Sequence, residues 1–249
     1  MKIIGLFFLL TAGQITYGQT SFNYKDDFKK VLAKSKDPKD SLTYDKLLKR
    51  FNSNDTTLTD FEVLALLIGF TGKPEYKPYQ DLDIERDIYK LNDDKKYKAG
   101  LESGKKFIKT HPLSVKTLFE ISFSFHKLNK EDSAQYYLYQ GQRIFKAMYF
   151  SGDGKTKETP TFALGPADGQ DYIHKFVGAD IGTMGSGRDK DGNFLDILEA
   201  KFEDGNKMNL YFIIQHATSK MFGGKSIEEE LKKQKFEFTA YQIQISGRK

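Results

Sequence analysis

Apolar positions in the first 150 residues recur at helical spacing. Tyr24, Phe28, Val31 and Leu32 predict an amphipathic helix over Asn23 to Lys34, which Asp37-Pro38 breaks. Leu42, Tyr44, Leu47, Leu48 and Phe51 predict a second. Thr59 and Glu62 have the spacing of a capping box at the start of a third, Asp60 to Phe70, which Gly72 and Pro74 stop. That third segment, DFEVLALLIGF, is apolar on nearly every side, so it belongs at the centre of the N-terminal core. Gly72 to Gln80 reads as a surface loop, and helical spacing resumes from Asp81 to Tyr149.

Within that stretch Tyr97, Leu101, Gly104 and Ile108 share one helix face, and His111-Pro112 closes the helix. Leu118, Ile121, Ser122 and Phe125 lie on the next helix. Asn129 and Lys130 turn the chain, and Ala134, Leu138 and Gly141 lie on the one after. This spacing resembles one tetratricopeptide repeat, with small residues at Ser122, Ala134 and Gly141 where two helices approach closely. Lys146 stands where the repeat's closing proline belongs. In the preceding unit Gly100 and Pro112 fit, but Phe107 replaces a small residue. The pattern therefore supports one repeat and no long array, with an ordinary helical hairpin as the alternative.

The pattern changes after Tyr149. Ser151 to Lys175 has no long apolar run and reads as the connector between the halves. Asp153, Asp168, Asp191 and Asp204 each precede glycine, the pairing that favours tight turns. Phe194 to Phe202, a turn at Glu203 to Asn206, and Met208 to Gln215 predict an antiparallel hairpin. Ser226 to Gln234 predicts a short helix and Phe236 to Ile245 a final strand. The expected fold is α+β: an N-terminal helical bundle with tetratricopeptide-like hairpins, then a small antiparallel sheet with one or two short helices. The expected boundaries are 1–18, 19–150 and 151–249.

The first of these segments is a secretory signal peptide by pattern. Lys2 precedes the apolar run Ile3 to Ala12, and Thr16-Tyr17-Gly18 offers small residues for cleavage near Gly18. The run is half the length of a membrane span, which needs about twenty residues. The expected location is thus periplasmic or extracellular. The absence of cysteine removes disulfides, thiolate metal ligands, a thiol nucleophile and a bacterial lipid anchor. The formal charge of +5 comes from 39 basic and 34 acidic residues interleaved along the chain, which is not a nucleic-acid footprint. No segment after the signal peptide is apolar enough for a transmembrane span.

Chemistry-bearing residues are sparse. Gly224-Lys225-Ser226 ends a stretch from Ser219 that is similar to a phosphate loop, but Ser219 replaces the first glycine and only 23 residues follow Ser226. Gly182 to Gly192 could cradle an anion, and reads better as a mobile turn. Asp189, Asp191 and Asn193 are weak calcium candidates, because the loop that would hold them runs from Gly187 to Leu198 and lacks a carboxylate at either end. The four histidines lack zinc spacing. Asp153, Asp168, Asp171 and His174 form the one candidate acid/base group, and each also has a simple turn explanation. No cofactor is expected.

The order of parts supports a resemblance: the signal peptide, the helices to Met148, Ser151-Gly152-Asp153-Gly154, the LGPADGQDYI segment and a late strand holding Leu210-Tyr211-Phe212. The mature chain resembles a Bacteroidetes family of secreted proteins, a domain family of unknown function. The resemblance implies an exported or envelope location and supplies no catalytic residue. The function expected from the sequence is a non-catalytic module with a protein or peptide partner in the cell envelope. The alternative is a hydrolase or small-ligand binder with its site at the junction of the two halves.

Overall fold

The computed structural model describes residues 22–223. The signal-peptide segment and the segments from Ser226 to Gln234 and from Phe236 to Ile245 lie outside the described residues.

Seven helices come first: α1 (Tyr24–Lys36), α2 (Tyr44–Asn52), α3 (Asp60–Thr71), α4 (Asp81–Asp93), α5 (Tyr97–Phe107), α6 (Val115–Lys127) and α7 (Glu131–Ser151). The Thr59 side chain accepts from the Glu62 amide and the Glu62 carboxylate accepts from the Thr59 amide, so the expected capping box is formed. Every residue from Val63 to Phe70 is buried, and α3 packs against α1, α2 and α7. A helix without a polar face is stable only in such a surround.

The helices from α4 to α7 form two hairpins of one repeating plan. α4 begins at Asp81 and α6 at Val115; α5 begins at Tyr97 and α7 at Glu131, so each recurs after 34 residues. That is the tetratricopeptide period, and it covers two units where the sequence pattern supported one. Small residues allow the close approach. A Cβ on Gly104 would stand 2.7 Å from Ile121, and one on Gly141 2.7 Å from the Phe119 ring. Asn129, at φ 54°, turns the chain between α6 and α7. A buried network ties the two units together. The Asn92 amide donates to Glu120 Oε2 at 2.8 Å and accepts from Ser124 Oγ at 2.7 Å.

The second half holds β1 (Thr161–Phe162), α8 (Asp168–Tyr172), a π-helical turn (Ile173–Val177), β2 (Asp180–Arg188), β3 (Phe194–Lys201), β4 (Lys207–Ile213) and α9 (Gln215–Met221). The sheet order is β1-β4-β3-β2. β2, β3 and β4 are antiparallel as expected, while β1 joins β4 in parallel, with Thr161 opposite Phe212. The sheet is therefore mixed.

Three local expectations are corrected. Gly182 to Arg188 is strand, not mobile turn: β3 supplies the partner, and a bulge between Ile181 and Met184 absorbs the irregular register. Asp168-Gly169 opens α8 instead of a turn, because Gly169 lies against the sheet; a Cβ there would stand 2.9 Å from the Phe212 ring. Gln215 starts α9 instead of ending a strand, and Ser219 and Lys220 lie within that helix, so the stretch does not leave a strand as a phosphate loop must.

One hydrophobic core runs from Val31 to Ala217 and spans both halves. Phe162 of β1, fully buried, stacks on His216 of α9 with ring centroids 4.4 Å apart and an 8° interplanar angle. Tyr24 and Phe28 of α1 close the other side, and Tyr24 Oη lies 3.3 Å from His216 Nδ1. Burial in this aromatic surround pushes the His216 imidazole down to about 3, so it is neutral in the fold.

Candidate functional site

A cleft opens where the helical hairpins meet the chain between β1 and α8. One wall is α4 with Leu82, Glu85 and Tyr89. The opposite wall is Gly165, Pro166, Ala167 and Asp168. The floor is the α5–α6 connection with His111 and Ser114. Its inner cavity holds about 30 Å³ and leads into an outer groove of about 310 Å³; Leu82, Glu85, Pro166 and Ala167 line both.

Each acid is placed by local structure. Ser114 caps α6, accepting the Thr117 amide at 3.2 Å, and donates to Glu85 Oε1 at 2.5 Å. Asp168 begins α8, and its Oδ2 accepts the Gly165 amide at 2.9 Å. Burial, then the nearby Glu85 charge, pushes the Asp168 carboxyl up to about 8. Burial likewise raises Glu85. Asp171 has a different environment: Lys175 Nζ lies 2.6 Å from one oxygen and Lys116 Nζ 3.5 Å from the other. Asp81 Oδ1 lies 3.3 Å from His111 Nε2. Burial opposes the charged form of that imidazole, but Asp81 and the backbone acceptors outweigh it and raise its pKa. His111 stacks flat on Phe107 at 4.2 Å, and Tyr76 Oη donates to the Leu164 carbonyl at 2.5 Å.

Of the four acid/base candidates, Asp168 and Asp171 come to this junction on one turn of helix. Asp153 and His174 do not join them. Asp153 Oδ1 accepts from Lys155 N at 3.1 Å and from Thr159 Oγ1 at 2.7 Å, which fixes the 153–159 turn. His174 is exposed on the π-helical turn. Asp153 faces a separate groove of about 410 Å³ together with Asp189, Asp191 and Asn193. Those three residues build the β2–β3 turn: Asp189 accepts from the amides of Asp191 and Asn193, and Asp191 pairs with Lys25 at 2.6 Å. Gly187 and Leu198, the ends of the proposed calcium loop, lie in paired strands. Among the described residues, no three His, Cys, Asp or Glu side chains converge as metal ligands.

Glu85, Asp81 and His111 were not singled out from the sequence. One signal was present. Glu85 shares the buried stripe of α4 with Ile88 and Asn92, and a carboxylate on such a stripe needs a reason to be there.

A family model described as a domain of unknown function (DUF4919) matches residues 29–221. The chain belongs to this family. The DUF4919 match begins inside α1 and ends at the last residue of α9, so it takes in both halves and every residue of the cleft. No curated protein and no solved structure matches the chain. Among the described residues, no helix is long and apolar enough to cross a membrane.

Proposed function

We propose that this protein is an exported, non-catalytic binding module of the cell envelope that receives a protein or peptide segment in the junction cleft. The observation that carries the reading is the cleft's construction. Its walls come from both halves, and its outer groove of about 310 Å³ combines apolar surface at Leu82, Tyr89 and Pro166 with polar groups at Arg86, Lys116 and Gln170. Such a mixture suits an extended segment. The inner cavity has room for a water-sized group, and not for a substrate enclosed together with an attacking group.

The test uses the mature chain on an array of immobilised peptides, beside the variant Gly165→Leu. A Cβ at Gly165 meets only Pro78, at 3.7 Å, so a leucine can be placed in the wall of the inner cavity without forcing the backbone. Selective peptide retention that G165L weakens at least about tenfold supports the reading. Equal patterns from the two proteins, or no retained peptide, overturn it.

Export is supported by Lys2, the apolar run Ile3 to Ala12, and Gly18. The expected N-terminus of protein recovered from envelope or medium is Gln19; recovery of the chain with Met1 in the cytoplasmic fraction would overturn this.

One observation favours a second reading, acid–base hydrolysis. Asp168 keeps its proton near neutral pH, as a general acid must. Turnover in a broad hydrolase screen that Asp168→Asn abolishes would establish it. Equal turnover by both proteins, or none by either, removes it.

A further inference from the structure

We propose that the inner cavity of the cleft takes an alkylammonium group seated between Glu85 and Asp168, supplied by a lysine side chain or free N-terminus of a bound segment or by a small amine. This deepens the binding reading above and, for a peptide source, rests on it.

The first observation is a pair of carboxyl oxygens that no donor among the described residues meets and that open to solvent. Glu85 is 9% exposed and Asp168 8%, and both line the same small cavity. One oxygen of each carboxyl group is held, by Ser114 and by the Gly165 amide. The other has no hydrogen-bond partner among the described residues. Asp168 keeps its proton beside the Glu85 charge, and a cationic donor seated between the two would let both ionise. Lys116 lies against Asp171 and its charge reaches both carboxyl groups, but it makes no hydrogen bond to either and does not line the inner cavity; Arg86 pairs with Asp83 at 2.9 Å.

The second observation is the wall. Phe70, Tyr76 and Phe107 put aromatic rings around the same cavity, and His111 beside them is held by Asp81. Aromatic faces beside carboxylates favour an organic cation and reject an anion. The cavity's 30 Å³ suits a compact ammonium better than the planar fork of a guanidinium. An ammonium has three N–H donors. Two can meet the vacant oxygens of Glu85 and Asp168, while the alkyl stem leaves past Leu82 and Ala167 into the outer groove. A metal ion would need a third converging ligand, which the described residues do not provide.

Binding is coupled to protonation. Asp168 is faced by Glu85 and Asp81 of α4, Lys116 of α6, Asp171 of its own turn, and Tyr76 and His111 across the cavity. A seated cation favours the ionised carboxyls, so at pH 7 binding releases a proton from this cluster, and affinity rises toward pH 8.

The experiment is isothermal titration of the mature chain with n-butylamine, n-butanol, calcium chloride, and a lysine peptide from the array with its Nε-acetylated twin. The double variant Glu85→Gln, Asp168→Asn keeps the shape and removes the charge. Butylamine is expected to bind on the order of millimolar, as befits so small a probe. Butanol should not bind. The folded double variant should lose at least about tenfold in amine affinity, and titrations in two buffers of different ionisation heat should show the released proton. Binding by the free amine but not the peptide, or the reverse, assigns the source within the same chemistry. Equal amine affinity in wild type and double variant overturns the proposal, as does binding of calcium without amine. Peptide retention that G165L abolishes but acetylation leaves unchanged also overturns it, while leaving the binding reading in place. Amine binding lost in the double variant, with no peptide retained, supports the ammonium site and removes the peptide reading.

Discussion

Replacing Phe162 with alanine is expected to lower the stability of the fold by about 3–5 kcal/mol. Its ring is fully buried in a strand of only two residues, so little of β1 remains to hold it once the ring is gone. The ring stacks on His216 at 4.4 Å and lies 6.4 Å from Phe28, which places the resulting cavity where α1, β1 and α9 meet. Packing on three sides limits collapse into that cavity, and the cost of a large-to-small change grows with the volume left open. Urea unfolding checks this. A loss below about 1 kcal/mol would mean that these three elements do not depend on a shared core.

Replacing Asp168 with asparagine is expected to act in the opposite direction, and only in one pH range. The unfolded carboxyl ionises near pH 3.9, whereas in the fold burial and Glu85 hold its pKa at about 8. Between those values the native state binds more protons than the unfolded state. Wild-type stability from this group is therefore full below the lower value and is lost as pH rises through the upper one. Asp168→Asn should match wild type near pH 4 and exceed it by about 2–4 kcal/mol near pH 8. His216 contributes the reverse slope between about 3 and its ordinary range, since its folded form resists protonation. That slope is common to both proteins and drops out of the comparison. Denaturant titrations from pH 4 to 8 provide the check, and a difference that does not grow with pH would refute the assignment.

What could be read from the sequence was set by local interactions. The Thr59–Glu62 cap and the all-apolar run after it lie within one helix, and both were read correctly. The β3–β4 hairpin was legible because its alternation and its turn are contiguous. β2 was not, since its glycines carry no strand preference and only β3 makes them a strand. The first tetratricopeptide-like unit was obscured by Phe107 at a position reserved for a small residue, although α4 and α5 keep the spacing. The site divided in the same way. Asp168 and Asp171 stand one helical turn apart and could be seen as a pair. Their partners Glu85 and Lys116 reach the cleft from helices more than fifty residues earlier in the chain. Burial and mutual repulsion, which give Asp168 its character, exist only once those helices are packed.

The contact between Tyr24 and His216 joins residues 192 positions apart. It sets an order for the chain as it leaves the ribosome. The hairpins from α4 to α7 have their partners close in sequence and can pack early. The aromatic stripe of α1 cannot, because the ring that completes its cover lies 192 residues further along the chain. Until synthesis passes α9, Tyr24 and Phe28 face water or a chaperone. A chain cut short between Ser151 and His216 would carry the whole helical half and still leave that stripe without its His216 cover.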